Sequence, residues 1–207
     1  MTSTRRPGRP PGPAIDRRQQ VVLATIDLVA EGGYGAATLG KVAEHVGLSK
    51  ASVLHHAGSV ENLVRSAQGY VVSSMLEHVT AAVRAAAPQE GPRVYIETMV
   101  RHFRENPHHT RMLTEALTHG HDLGDAGTNE AAGGTSVATG RWQGVATLLA
   151  HAREAGCLPE RSDLRTPALL IGGGIDAIVG EALRDPDFDD DAAATELADV
   201  AEAAWLR

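Results

Sequence analysis

Between residues 38 and 56 the chain gathers short hydroxyls, cations and imidazoles. They are Thr38, Lys41, Ser49, Lys50, Ser52, His55 and His56, with the small Ala51 among them. Such groups donate hydrogen bonds to phosphate oxygens and to base edges, and a small apolar side chain meets the methyl group of thymine. Lys41 and Lys50 are the only lysines in 207 residues. A second concentration of chemistry is His102, His108, His109, His119 and His121, five imidazoles within twenty residues. Zinc uses such ligands, but with a recognisable spacing and a carboxylate or thiolate partner. No His-Glu-x-x-His occurs, and Cys157, the single cysteine, lies across a long gap. No metal and no cofactor is expected. A Gly-x-Ser-x-Gly elbow is absent, and Gly172-Gly173-Gly174 lacks the Lys-Ser/Thr ending of a phosphate loop. The chain is not expected to be an enzyme.

The elements that position the first group are legible. Leu39, Val42, Ala43 and Val46 recur at helical spacing and form one buried stripe. Gly47 stands where a helix end accepts positive φ, Leu48 plugs the turn, and Ser49 is placed to cap a second helix. Val53 faces the same small core. Two short helices across a tight turn make a helix-turn-helix, whose second helix enters the major groove of DNA. Lys50 and Ser52 then reach base edges or phosphates. Ala51 permits close approach or a thymine-methyl contact. Thr38 caps its helix and is a candidate phosphate donor, Lys41 is a candidate for the backbone, and Ser49, His55 and His56 complete the set of candidate DNA contacts. A solvated helix surface is the plainer alternative for each.

Charge distribution agrees with this placement. The formal net charge is -7. Residues 1–65 nevertheless hold eight Lys or Arg against five Asp or Glu, and the remainder eleven against twenty-one. A basic front on an acidic body is expected when only one part meets phosphates. Residues 1–13 form a Pro- and Gly-rich arm carrying Arg5, Arg6 and Arg9. It is either a solvated tail or an arm for a narrow minor groove.

The rest of the chain reads as helices without a sheet. The spacing predicts helices over about 14–31, 60–86, 93–105, 135–155, 164–183 and 190–206, two short ones within 38–56, and one that restarts at Asn106-Pro107 and carries Met112, Leu113, Ala116 and Leu117. Asn106 is placed to cap the helix opened by Pro107, and residues 120–134 read as a loop. Three units are expected: the arm 1–13, a DNA-binding unit 14–58 and a helical body 59–207. Tyr95, Met99, Phe103, Met112, Leu113 and Trp142 are the larger apolar candidates for lining a cavity for a small-molecule effector. His102 and His109, or Arg104 and Glu115, supply its polar groups. Leu169, Gly173, Ile175, Ile178, Leu197, Val200 and Ala204 give the last two helices excess apolar surface, which suggests a homodimer seam; an internal core pair is the alternative. Asp176 interrupts the most apolar run and the opening residues lack a signal-peptide core. No membrane association and a cytoplasmic location are therefore expected.

This pattern resembles the TetR family of bacterial transcriptional regulators. The resemblance rests on Ala30, Gly33-Tyr34, Thr38, Val42-Ala43, Val46-Gly47-Leu48-Ser49, Val53, His55-His56, Gly58-Ser59, Glu61 and Leu63, within residues 22–64. It implies an all-α dimer of nine helices per subunit. Three helices would bind a pseudopalindromic operator, and the rest would enclose an effector pocket and pair the subunits. A repressor released from double-stranded DNA by a small molecule is the implied function. The chain departs from the family pattern at Leu54, where a tyrosine is usual, at Ala57, where a large apolar residue is usual, and at Val60, where a lysine is usual. The alternatives are a metal sensor or hydrolase built on His102–His121, or a helical dimer that has lost DNA binding.

Deleting residues 1–13 tests the arm. If all three arginines meet phosphates, the slope of log affinity against log salt falls by up to about three units. An unchanged slope dismisses the arm from the interface.

Overall fold

A computed structural model describes residues 16–118, 137–158 and 163–205. Arg5, Arg6, Arg9, His119, His121 and the 120–134 segment lie outside them, as does the side chain of Trp142. Among the described residues there are nine α-helices and no strand. They are α1 (Arg17–Gly32), α2 (Leu39–Val46), α3 (Lys50–Ala57), α4 (Val60–Ala85), α5 (Gly91–Glu105), α6 (Pro107–Thr118), α7 (Val137–Glu154), α8 (Arg165–Arg184) and α9 (Asp190–Trp205).

The helix starts follow from side-chain caps. Asp16 accepts from the Arg18 N–H at 3.0 Å, Thr38 from Lys41 at 3.3 Å, and Ser49 and Ser59 from Ser52 and Asn62 at 3.1 Å each. Each satisfies an N–H that the first helical turn leaves unpaired. At the end of α2, Gly47 takes φ 65°. Its N–H and that of Leu48 then close the helix on the Glu44 and Ala43 carbonyls, a left-handed cap that a Cβ would strain.

Two boundaries differ from expectation. α5 begins at Gly91 rather than Arg93, because Pro92 falls in the first turn, where its missing N–H costs nothing. Asn106 does not spend its side chain on α6. Its Nδ2 donates to the His102 carbonyl at 2.8 Å, beside its own backbone N–H at 3.0 Å, so the side chain finishes α5. Asp189 does cap a helix, accepting from the Ala192 N–H at 2.9 Å at the start of α9.

Among the described residues, three apolar clusters divide the interior. The first joins Val21 and Ala24 of α1 to Val42, Ala43, Val53 and Leu63. The second joins the other side of α1, through Val22, Ile26 and Val29, to Ala67 and Val71 of α4 and Met112 of α6. The third fills the body between α4, α5, α7, α8 and α9. α4 runs past all three, a rod of about 39 Å at the usual helical rise.

α8 is long and apolar enough to cross a membrane by length and composition, which the reading from Asp176 did not anticipate. Its Ala168, Ile171 and Ile175 are packed into the body core. The close approach of α9 takes up Gly174, where a Cβ would stand 2.8 Å from both methyls of Leu197. Ile175, expected at a seam between subunits, is 1% exposed and belongs to this internal core. Ile178 and Leu197 are half-buried against the same core. Leu169, Gly173, Val200 and Ala204 remain on the surface.

Candidate functional site

The first site is the outer surface of α3. Val53 is fully buried beneath it. Lys50, Ala51, Leu54 and His55 are exposed, and Ser52 and His56 are half-buried. The His55 and His56 rings meet edge to face at 5.5 Å. Thr38 and Lys41, at the start of α2, are exposed beside them. Lys50 folds back over that start: a Cβ on Gly40 would lie 2.9 Å from Lys50 Cε and 3.3 Å from Nζ. The glycine therefore makes the groove in which the lysine stem rests. The start of α2 and the Lys50 ammonium, carried by the first residue of α3, stand together there, an arrangement that attracts phosphate. Gly40 was not singled out from the sequence; an isolated glycine inside a helical pattern was the available signal.

A second concentration of polar groups lies where the head meets the body. Asp27 of α1 contacts His108 of α6 at 2.7 Å and lies 3.9 Å from His45 of α2. Deeper, His102 is 2% exposed, and its ring lies 5.5 Å from His78 and 6.0 Å from His109 between centroids. Tyr70 meets His109 edge to face at 6.2 Å. Both ring nitrogens of His102 and Nδ1 of His109 are buried without a hydrogen-bond partner among the described residues. Burial holds the His102 imidazole below its ordinary value, with His109 and His78 adding to the effect and Glu105 opposing it. His109 is lowered by burial too, opposed by Asp27 and reinforced by His108. No three His, Cys, Asp or Glu side chains among the described residues stand close enough to hold a metal ion.

A half-open cleft of about 130 Å³ lies on the other side of α5, lined by Val100, Phe103, Arg104, Pro107, Thr110, Val179, Ala182, Leu183 and Asp190. Of the cavity candidates it contains Phe103, with Arg104 as a polar group. Tyr95, Met99 and Leu113 pack against the body core instead. Met112 is a correction: it is fully buried in the cluster between α1, α4 and α6, because its face of α6 is the one turned to α1. The cleft's acidic member escaped sequence reasoning. Asp190 pairs with Arg104 at 2.8 Å across 86 positions, a separation that leaves no local pattern.

Residues 21–67 match the family model described as bacterial regulatory proteins, tetR family. The HTH-type transcriptional regulator BetI of Pseudomonas fluorescens is 30% identical over 84 residues, 41% of this chain and 42% of that protein. The nucleoid occlusion factor SlmA of Haemophilus influenzae is 29% identical over 102 residues, 48% of this chain and 46% of that one. Each match thus spans less than half of the relative's length. Solved structures show the same fold over nearly the whole chain. The fatty acid degradation regulator FadR of Bacillus halodurans superposes with a TM-score of 0.72 at 16% identity, covering 93% of this chain and 96% of that one. FadR of Bacillus subtilis, in complex with stearoyl-CoA, gives 0.68 at 15% identity over 88% and 96%.

Two outcomes are expected from this geometry. Gly40→Ala displaces the Lys50 stem; if Lys50 meets a phosphate, the salt slope of DNA binding falls by about one unit per bound chain. The melting temperature should hold or rise, since alanine favours the helix by about 1 kcal/mol. An unchanged slope would show that Lys50 meets no phosphate. The second outcome concerns pH. His102 and His109 are held neutral in the fold, whereas the unfolded chain takes up protons at about pH 6.5. Stability is therefore full above that pH and declines as pH falls toward the lowered folded values. Thermal melts of the wild type should drop more steeply between pH 7 and pH 5 than those of His102→Leu; parallel curves would remove His102 from the account.

Proposed function

We propose that this chain, which carries the DNA-binding domain of the tetR family of bacterial regulatory proteins, is a homodimeric transcriptional repressor that a small molecule releases from its operator. The observation that carries the reading is the outer face of α3. It is a capped, exposed helix bearing Lys50, Ala51, Ser52 and His55, set on a buried core and flanked by Thr38 and Lys41. That is the form of a helix built to enter a major groove. Binding rather than catalysis is its work, carried out in the cytoplasm beside the chromosome.

The dimer reading is supported by the surface of the last two helices. Leu169 and Leu170 of α8 and Val200 of α9 are 49%, 56% and 54% exposed. Gly173 lies between them in sequence, and a Cβ there would meet nothing within 4 Å in the chain itself. A helix face that is apolar, exposed and open at a glycine suits close approach by its own copy. Two-fold symmetry then requires a two-fold operator, with half-sites about one helical turn apart or more.

The effector reading is supported by the cleft at Phe103 and by the unpartnered imidazoles of His102 and His109. Buried polar groups without partners are rare in native proteins, and a ligand is one of the few things that satisfies them. Release requires only that the effector bind one arrangement of α4 and α6 better than another. The fatty-acid regulators of similar fold lend the idea of an acyl effector, but at 15% and 16% identity they share the fold alone.

Selection of bound sites from random duplexes at low salt tests the reading. An enriched inverted repeat is expected; no enriched site would end it in favour of a helical dimer that does not bind DNA. Gly173→Gln should convert the dimer to monomers in sedimentation, with helicity retained, and weaken operator binding in step. A Gly173→Gln protein that remains dimeric would move the seam elsewhere.

A further inference from the structure

One feature of α3 is unexplained by phosphate contacts. Leu54 is 46% exposed, although its neighbour Val53 is completely buried. No other large apolar side chain among the described residues of the head, α1 to α3, is as exposed. It is not a frayed end: the helix continues past it, and the Leu54 carbonyl accepts from the Gly58 N–H at 2.7 Å. At about 100° per residue, Leu54 falls between Lys50 and Ala51 around the helix surface. A leucine and an alanine three residues apart therefore make one continuous apolar strip beside the lysine. Lys50 borders this strip on the same helix, so its surroundings invite an anionic partner.

Leucine has no hydrogen-bonding group, so it cannot read the donor and acceptor pattern of guanine, cytosine or adenine. In the major groove one base presents an apolar group, the C5-methyl of thymine. Resting on the DNA-binding reading above, we propose that Leu54, together with Ala51, reads thymine methyl groups and is the specificity-determining residue of this recognition helix. Lys50 holds the phosphate or a neighbouring base edge at the rim of the same contact, and Ala51 lets the helix sit close enough for the leucine methyls to reach.

Deoxyuridine pairs as thymine does and lacks only the methyl, so it isolates this interaction. The full chain is first used to select its site, which should carry a fixed thymine in each half. Replacing those thymines with deoxyuridine should weaken wild-type binding about fourfold per half-site, the worth of one buried methyl. Leu54→Ala should bind the thymine and deoxyuridine duplexes equally, and Leu54→Met should restore part of the discrimination. An exposed side chain is being changed, so circular dichroism melts should be unaltered. Equal wild-type affinity for the two duplexes overturns the proposal while leaving DNA binding intact. Discrimination that survives in Leu54→Ala also overturns it, by assigning the methyl to another residue. Failure to select any site overturns the DNA-binding reading and this inference with it.

Discussion

Helix α1 is packed on both sides, and the direction of the recognition helix depends on that. Val21 and Ala24 serve the small core under α2 and α3. Val22, Ile26 and Val29, one position over, serve the cluster shared with α4 and α6. Even Thr25 is buried, its hydroxyl donating back to the Val21 carbonyl at 2.8 Å. A helix with two apolar faces cannot turn without opening one of them. Tyr34 reinforces the second face: its hydroxyl accepts from Gln68 at 2.8 Å and reaches the Met112 carbonyl at 3.5 Å. Burial raises its pKa, which keeps the phenol a donor. The head is therefore tied to α6 as firmly as to α4, and any motion of α6 in the body is felt at α3.

The body is not equally firm on its two sides. Arg93 of α5 is bound to Glu202 at 2.6 Å, to Asp199 and to Glu97, and Arg104 to Asp190 at 2.8 Å and Asp191 at 2.5 Å. All but the Arg93–Glu97 pair, which lies within α5, hold α5 against α9. Exposed ion pairs contribute little singly, but Asp190 is nearly buried and each arginine is shared, so geometry is fixed even where net energy is small. On the opposite side of α5 the His102 ring lies between those of His78 and His109, with both His102 nitrogens and His109 Nδ1 unpaired among the described residues. That side carries the cost of polar burial without its reward. In the proposed regulator those unpaired nitrogens give an effector reason to rearrange this side, where His109 of α6 meets His102 of α5.

Local chemistry was legible in the sequence; contacts between distant residues were not. Thr38, Ser49, Ser59 and Gly47 announce their roles because a cap and its helix are neighbours in the chain. Leu39, Val42 and Val53 announce theirs because a helix repeats its face every three or four residues. The same period says that Ile175 and Met112 are buried somewhere, but not against what. Ile175, a candidate for a subunit seam or an internal pair, is internal; Met112, a candidate for a cavity wall or ordinary core, is core between α1, α4 and α6. Asn106 before Pro107 is a strong local signal, yet the exposed end of α5 made a competing claim on its side chain. Lys50 over Gly40 joins two residues ten apart on different helices, and only the angle between α2 and α3 brings them together.

Magnitudes decide whether such a joint can serve as a switch. Moving a two-state equilibrium from mostly one form to mostly the other takes a difference of about 5.5 kcal/mol in ligand affinity. A joint held by many cores would resist that; a joint with no core would need no ligand. Here α6 meets α1 and α4 through Met112, fully buried, with Leu113 half-buried beside it and Asp27–His108 and Tyr34 as polar ties. Removing a buried side chain of methionine's size costs about 2–5 kcal/mol. Withdrawing Met112 by a shift of α6 therefore costs an amount comparable to what one well-placed ligand supplies. The partners of His102 and His109 would contribute about 1–3 kcal/mol for each buried group they satisfy. The two quantities are of one order, which is the condition for a head that is held in register without effector and released with it.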